Sequence, residues 1–314
     1  MNTERTTLLA LTLAVVFAPV VAMAGGPLLV FDPELDQPYR WGTAAPVAVY
    51  TDLGDLGPIA NADVDLRVAE GVAQWSGVAT SSLQLNLTGD FASIGLPDIV
   101  GANAFDVIGT DNGGGIHVIY DDDETVFFQV FGIPPGSGVL GVGSPDFAIG
   151  DEITEAWVVL GGGGVDPADT DGTFFQGIVT HELGHSINLA HTQTNGAIAF
   201  FGDEISPDGC PAPYAGLPFA GDIETMYPFG DPTFGGPIGI PAGTIDHLDD
   251  VSALSDLYPG PGWPGSFATI DGSVFLPDGL TEITGVNVIV RNVADPFTDA
   301  SSQMSGNLSQ GDAS

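Results

Sequence analysis

The chain has 314 residues, 44% of them hydrophobic, enough for one large domain or for one domain with a smaller companion. Its 41 acidic residues stand against four basic residues, all arginine, which gives a net charge of −37. A surface with this charge repels phosphate backbones and anionic lipid heads, which argues against nucleic-acid and membrane-surface partners. The single cysteine, Cys210, excludes an intrachain disulfide.

The N-terminus has the features of a secretory signal. Arg5 precedes an apolar run at 8–21, and Ala22-Met23-Ala24 is a small-x-small cleavage site. Because the run is short for a membrane span, we expect cleavage after this site, secretion, and no membrane insertion of the mature chain. The alternative is an uncleaved anchor. We therefore predict a signal peptide at 1–24 and an N-terminal extension at 25–38.

Strand and helix patterns are interleaved through the first half of the chain. Alternating apolar residues predict the strands, and apolar residues at helical spacing predict a core-facing helix that starts at Asn61 or Asp63. This mixture favours an α+β fold with a twisted mixed sheet and helices packed on it. The predicted strands are 39–50, 83–87, 115–120 and 156–160, and the helix stripe is Val64, Val68, Val72 and Trp75.

Two acidic loops follow the later strands. Their carboxylates could wrap a hard cation such as calcium, whose preferred ligands are oxygens. The alternative is a solvated acidic turn, which is common in so acidic a chain. The candidate calcium ligands are Asp121, Asp122, Asp123 and Glu124 in the first loop and Asp166, Asp169 and Asp171 in the second.

Residues 181–191 hold three of the five histidines of the chain, in the pattern H-E-x-x-H-x-x-x-x-x-H. His181 and His185 are one helical turn apart, so both imidazoles can reach one metal ion. His191 can join them only if the helix ends and the chain bends back. Three neutral nitrogen ligands with an open fourth position describe a catalytic zinc site. Glu182, beside the first ligand, is placed to hold a water molecule rather than to bind the ion.

Two helices are predicted around this motif. Thr173 and Gln176 fit the spacing of a capping box, and Asp171 lies where a carboxylate favours the positive end of the helix. This predicts that the motif lies on a helix that begins near Thr173. A later helix is predicted from about Asp246 to Leu257, where apolar residues recur at helical spacing.

The C-terminal part has a different composition. Residues 260–266 are rich in glycine and proline, which predicts a linker, and residues 267–293 return to strand patterning. About 50 residues are too few for a complete β-sandwich. We therefore interpret residues 267–314 as an incomplete β-sandwich-like segment, either with a disordered tail after Asp295 or as a piece of a longer chain.

The motif at 181–191 and the Met226-Tyr227-Pro228 that follows it resemble the metzincin metalloproteases, and most closely their matrixin branch. Trp75-Ser76-Gly77-Val78 resembles the W-S-x-V signature of that family. The run at 248–258 resembles its C-terminal helix. The resemblance covers residues 39–259.

This resemblance implies a zinc endopeptidase that acts on protein or peptide substrates through a metal-activated water. Substrate would lie extended beside an edge strand near residues 152–160. Asn188 stands where the family usually has glycine, and asparagine tolerates the left-handed conformation better than other non-glycine residues. The implied site residues are three zinc ligands, a general base and the methionine of a tight turn: His181, His185, His191, Glu182 and Met226.

Two other interpretations stay open. A surface adhesion or binding module could carry a vestigial or non-proteolytic zinc site, since residues 268–274 and 285–290 resemble the opening strands of a carboxypeptidase-regulatory-like β-sandwich. Such a module has no need of Glu182 between two ligands. The third interpretation is metal-dependent hydrolysis of another bond, such as an ester.

The remaining metal-binding residue types lie outside the motif. His117 alone cannot make the second, structural zinc site of vertebrate matrixins, and His247 is expected at the surface near a helix start. Cys210 could reach the zinc from the long segment between His191 and Met226, but an ordinary buried thiol is the preferred interpretation.

Overall fold

The computed structural model describes residues 6–7, 25–32, 35, 37–165, 169, 172–192, 194–196, 223–228, 244–265 and 267–306. Several predictions fall outside the described residues: most of the signal segment, Asp166, Asp171, Cys210 and the tail from residue 307. The chain divides into two compact units. The first is Met1–Val21, Tyr39–Gly77 and Leu83–Asn188, and the second is Ala22–Pro38, Val78–Ser82 and Leu189–Ser314.

The regular elements are named in chain order. The strands are β1 Thr6–Thr7, β2 Val30–Asp32, β3 Gln37–Pro38, β4 Arg40–Trp41, β5 Val47–Thr51, β6 Leu85–Asp90, β7 Gly115–Asp121, β8 Gly141–Ile149, β9 Glu152–Gly161, β10 Asn287–Asn292 and β11 Asp295–Met304. The α-helices are α1 Asn61–Ser76, α2 Thr173–Ser186 and α3 Leu248–Leu257. Within the described residues, no helix is both long and apolar enough to cross a membrane.

The first unit is built on a mixed sheet of seven strands among the described residues, and most of its pairings are parallel. The spatial order is β1, β8, β9, β7, β5 and β6, with β4 also paired to β9. Seven residues of β7 are all buried, and they run in parallel register with β9 from Gly115 opposite Glu155 to Asp121 opposite Gly161. The predicted mixed sheet with packed helices is confirmed at this level.

The predicted edge strand at 152–160 is wrong in its position. Strand β9 covers this segment but pairs on both sides, with β7 and with β8. On one side β9 is covered by β8, beyond which only the two-residue β1 is paired. Strand β8 was missed in the sequence because glycines and Pro145 interrupt the alternation of apolar residues. Proline cannot donate a ladder hydrogen bond, and the register with β9 shifts immediately after Pro145, as expected for proline at a bulge.

Helix α1 buries the predicted stripe against α2. Val64, Val68 and Trp75 are fully buried, and the indole Nε1 of Trp75 donates to the carbonyl oxygen of Thr180 at 2.8 Å. That hydrogen bond satisfies the polar edge of the ring inside the core, where an unpaired N–H would be costly. The apolar face of α1 therefore supports the helix that carries the metal motif.

The second unit contains the hairpins β2–β3 and β10–β11 and helix α3, which contacts β11. Two expectations fail here. Residues after Asp295 do not begin a disordered tail, because 295–304 form β11 in antiparallel register with β10. His247 is the capping residue before α3, but it is buried rather than on the surface.

Three carboxyl groups of the first unit are buried in and beside the sheet. Burial raises the pKa of Asp52 to about 7, that of Asp146 to about 6 and that of Glu155 to about 7. Backbone N–H groups partly offset this effect, because each carboxylate accepts at least one of them. Burial also lowers the pKa of His117, whose Nδ1 is 3.4 Å from Glu155, to about 4.

We expect Trp75→Ala to lower the free energy of unfolding by about 3 to 5 kcal/mol, because it leaves a cavity and removes the buried hydrogen bond to the carbonyl oxygen of Thr180. Leu66→Ala, at an exposed position of the same helix, is the control and should cost well under that amount. Urea unfolding of the two variants measures the difference. Equal losses would contradict the assignment of Trp75 to the core.

We also expect the free energy of unfolding to fall as the pH rises from about 5 to about 7.5, because the three buried carboxyls keep protons that the unfolded chain releases. The native state then binds more protons than the unfolded state, so stability decreases with pH. The lowered pKa of His117 has the opposite effect on stability between about pH 4 and 6.5. This single group does not outweigh the three carboxyls.

Urea unfolding at both pH values tests this slope. Glu155→Gln should flatten it, whereas Glu152→Gln, at the exposed end of the same strand, should leave it unchanged. A stability that rises with pH in the unsubstituted protein would contradict the prediction.

Candidate metal centre

Helix α2 begins differently from the prediction. Thr173 is its first helical residue rather than its cap, and the capping position is Gly172, which has no side chain to accept a hydrogen bond. The cap is Asp169 instead, whose carboxylate accepts from the backbone N–H groups of Phe174 at 3.2 Å and Phe175 at 2.9 Å. Gln176 does not complete a capping box, since its amide donates to the backbone carbonyl of Arg67. A carboxylate at this end also interacts favourably with the helix dipole.

Helix α2 is buried along almost its whole length, from Phe175 to Ser186. A second indole holds its last turn, since Nε1 of Trp41 donates to the carbonyl oxygen of Ser186 at 3.0 Å. The rings of His181 and His185 lie on one side of the helix, with centroids 4.7 Å apart and planes at 89°. The predicted pairing of the two imidazoles on one face is therefore present.

The chain turns at the residue where the sequence predicts a bend. Asn188 has φ of 71°, in the left-handed region, and its backbone N–H donates to the carbonyl oxygen of His185 at 2.9 Å. Its side-chain amide donates to the carbonyl oxygen of Tyr39 at 2.7 Å, which anchors the bend. Asparagine thus fills a role usually given to glycine at a modest conformational cost.

The bend brings the third histidine back to the first two. One ligand atom from each of His181, His185 and His191 lies within 4.8 Å of the others, and the three fall within eleven consecutive residues. Among the described residues, this is the only group of three or more histidine, cysteine or carboxylate side chains that converges in this way. Three imidazole nitrogens at this spacing fit a zinc ion with a fourth position open to water.

Glu182 lies against strand β8 of the sheet. Burial raises its pKa to about 8, partly offset by a hydrogen bond from the backbone of Gly143. Its Oε2 has no hydrogen-bond partner within the described part of the chain. Burial of a carboxylate oxygen without a partner costs free energy unless a water molecule or a cation completes the site. This unpaired oxygen therefore suits a site that binds a water molecule.

Two glycines of β8 allow this close approach. A Cβ atom at Gly141 would lie 2.5 Å from Cγ of Glu182. One at Gly143 would collide with the carbonyl oxygen of Glu182 and lie 3.1 Å from Cβ of His185. Larger residues at these positions would push the strand from the helix, so the glycines that concealed β8 in the sequence are needed for the site.

The predicted Met-turn is held by a carboxylate from α3. Asp250 accepts from the backbone N–H groups of Thr225 at 2.7 Å and Met226 at 3.2 Å. Burial raises the pKa of Asp250 to about 7. Met226 itself is buried, and its carbonyl oxygen accepts from the backbone N–H of Thr192 at 2.9 Å. The methionine turn is therefore tied directly to the residue that follows His191.

The segment on either side of His191 has further anchors. Leu189 pairs with Pro27, and the N–H of Ala190 donates to the carbonyl oxygen of Gly26 at 2.8 Å. On the far side, both carboxylate oxygens of Glu224 accept from the backbone N–H of Asn195, at 3.1 and 2.9 Å. The third histidine thus lies in a stretch of chain held before and after it.

The carboxylates of the acidic loop after β7 accept hydrogen bonds from backbone N–H groups, both near the loop and in other segments of the chain. Asp121 accepts from the N–H groups of Val126 and Phe127. Asp122 accepts from the N–H of Gly57, Asp123 from that of Thr125 and Glu124 from that of Gly136. In the second loop, Asp169 caps α2 as described. Calcium binding by Asp121, Asp122, Asp123, Glu124 and Asp169 stays a prediction, and Asp166 and Asp171 lie outside the described residues.

The carboxylates that hold the site together are what the sequence analysis missed. Asp169 is predicted from the sequence only as a calcium ligand, and Glu224 and Asp250 have no predicted role. A usable signal was present for Asp169, because it lies just before a predicted helix, where carboxylates commonly accept the first N–H groups of that helix. Asp250 carried no such signal, because it accepts N–H groups from Thr225 and Met226 rather than from its own helix. Glu224 carried no comparable signal.

No protein-family model matches the chain, and no curated protein matches it in sequence. The assignment of this site therefore depends on the geometry of its own residues.

We expect the order of stability at position 188 to be Asn, then glycine, then alanine. Asn188→Gly loses the hydrogen bond to Tyr39, worth about 0.5 to 1.5 kcal/mol, but keeps a relaxed left-handed backbone. Asn188→Ala loses the same bond and adds about 1 to 2 kcal/mol of backbone strain. Urea unfolding of the metal-free protein ranks the three, and equal stability of the glycine and alanine variants would show that the bend is unstrained.

Proposed function

We propose that this protein is a secreted zinc-dependent endopeptidase of the matrixin type. The observation that carries the proposal is the convergence of His181, His185 and His191 within 4.8 Å, with Glu182 on the same helix. Three imidazoles leave one position of a tetrahedral zinc open, which is the pattern of catalytic rather than structural zinc. Secretion, removal of residues 1–24 and binding of calcium belong to the same proposal.

The residues of the chain divide the chemistry between them. A zinc ion held by the three histidines would supply Lewis acidity, which polarises a carbonyl group and acidifies a water molecule. Glu182 takes the proton from the attacking water and returns it to the leaving amine, which balances the hydrolysis without a further acid. Burial raises the pKa of Glu182 to about 8, and a zinc ion nearby would favour the charged form that a general base needs.

The outer edge of β8 is the place where an extended substrate fits. Within the described residues, the strand paired on that side is β1, and it covers only Phe147 and Ala148. The stretch 141–146 therefore offers backbone hydrogen-bonding groups, and Gly141 lies against Glu182. A substrate that adds a strand here would bring its peptide bonds alongside the general base, as in other cases of strand addition.

We expect Glu182→Gln to lower casein hydrolysis by at least about 100-fold while zinc content stays at one per chain, because only the proton transfer is lost. Glu152→Gln is the control and should retain full activity, since this carboxylate is exposed at the far end of β9. Hydrolysis by the unsubstituted protein should stop when a chelator removes zinc and return when zinc is added.

The result that would contradict the proposal is normal cleavage by the Glu182→Gln variant. Zinc binding without hydrolysis of any unfolded protein would favour the adhesion module or a narrower hydrolase. Absence of zinc from protein prepared with zinc present would overturn the metal site itself.

A further inference from the structure

The C-terminal hairpin β10–β11 is bonded to the chain that follows the third histidine. This hairpin belongs to the same compact unit as His191. Its contacts include Thr192, the residue that directly follows His191. The sequence predicts this segment to be the start of a β-sandwich-like domain that follows a linker. The contacts instead join the hairpin to residues 192–196, which directly follow the third histidine of the metal centre.

Arg291 on β10 makes the central contact. Its Nη1 donates to Oδ1 of Asn195 at 2.5 Å and to the carbonyl oxygen of Pro296 at 2.8 Å, and its Nη2 donates to the carbonyl oxygen of Thr194. Guanidinium is planar and carries five N–H donors in a fixed fork, so one side chain can bind the hairpin and the 194–195 segment at the same time.

Asn195 completes the connection from the other side. Its side-chain Nδ2 donates to the carbonyl oxygen of Phe297 at 2.8 Å, while its backbone N–H is held by Glu224. The side chain of Asn195 therefore makes hydrogen bonds to both strands of the hairpin, because Arg291 is on β10 and Phe297 is on β11. Asn195 is buried, so these bonds are protected from competition by water.

A second link lies nearer to the histidine. Asp249 at the start of α3 accepts from the hydroxyl of Thr192, and also from the backbone N–H of Ser302 on β11 at 2.5 Å. The hydroxyls of Thr192 and Ser302 are themselves 3.0 Å apart. Thr192 is the residue after His191, so β11, α3 and the metal-binding segment meet at one buried carboxylate.

These links matter because His191 is outside the helix that fixes the other two ligands. His181 and His185 take their positions from α2, whereas His191 depends on how the irregular chain around it is held. Bonds that orient a ligand from outside the metal's own coordination typically change metal affinity when removed.

We propose that Arg291 is a positioning residue for His191, and that the C-terminal hairpin is thereby a working part of the zinc centre rather than an attached module. This inference rests on the proposed function, because it assumes that the three histidines hold zinc. Arg291 touches neither substrate nor metal in this role. It acts by fixing the course of residues 194–195, three to four positions beyond the ligand.

The test is the zinc dissociation constant of the full chain, measured by competition with a chromogenic chelator. Arg291→Gln should raise this constant about tenfold, because the third ligand loses its fixed position. The matched control is Arg67→Gln, which also removes one arginine charge but breaks an ion pair with Glu70 on the surface of α1. The control should bind zinc with unchanged affinity.

Four additional measurements separate positioning from general stability. Asn195→Ala should weaken zinc binding to a similar degree, and the double variant should be little worse than either single one, because both remove the same link. Thermal unfolding of the zinc-free variants reports the stability of the fold, and Arg291→Lys should restore only part of the affinity, since one ammonium cannot span three oxygens.

Unchanged zinc affinity of Arg291→Gln, with or without a lower unfolding temperature, would overturn the inference and leave the proposed function intact. Failure of the unsubstituted chain to bind zinc would overturn both. If Arg291→Gln does not fold, Asn195→Ala decides between a weakened and an unchanged zinc site.

Discussion

The left-handed bend at Asn188 is the constraint on which the metal centre depends. A helix can present two histidines one turn apart, but its geometry carries the third away along the axis. The bend converts a linear motif into a convergent one, and it is held by a side-chain hydrogen bond to Tyr39 and by a backbone bond to His185. The indoles of Trp41 and Trp75 fix the helix before the bend by binding its carbonyl oxygens.

Around this bend, the protein uses acidic side chains in the interior as braces for its backbone. Asp169 caps α2, Asp250 holds the Met-turn, and Glu224 holds the segment beyond His191. A chain with 41 acidic and four basic residues has few cations to pair with buried carboxylates, and backbone N–H groups take their place as partners. Burial nevertheless raises the pKa of Glu224 and of Asp250 to about 7. The backbone hydrogen bonds therefore offset only part of the cost of burying these carboxylates.

The parts of the fold that the sequence predicts are those with a strong local signal. Periodicity identifies α1 and β7, and ligand spacing identifies the three histidines and the bend. The edge strand was misplaced because Gly141, Gly143 and Pro145 in β8 suppress the strand pattern. Those same glycines allow Glu182 to pack closely against β8, so the packing of the metal motif removed the strand pattern from the sequence. The roles of Arg291 and Glu224 depend on pairings between distant parts of the chain, which single residues in a sequence do not reveal.

The short span of the ligands determines what kind of cross-link the metal would make. Joining residues ten positions apart closes a small loop, and the entropy removed from the unfolded chain grows only slowly with loop length. Zinc would therefore act as a local cross-link between the end of α2 and the irregular segment beyond it, and the mixed sheet would depend on its own packing for stability. Loss of the ion would first loosen the residues around His191, which are also the residues that the C-terminal hairpin holds.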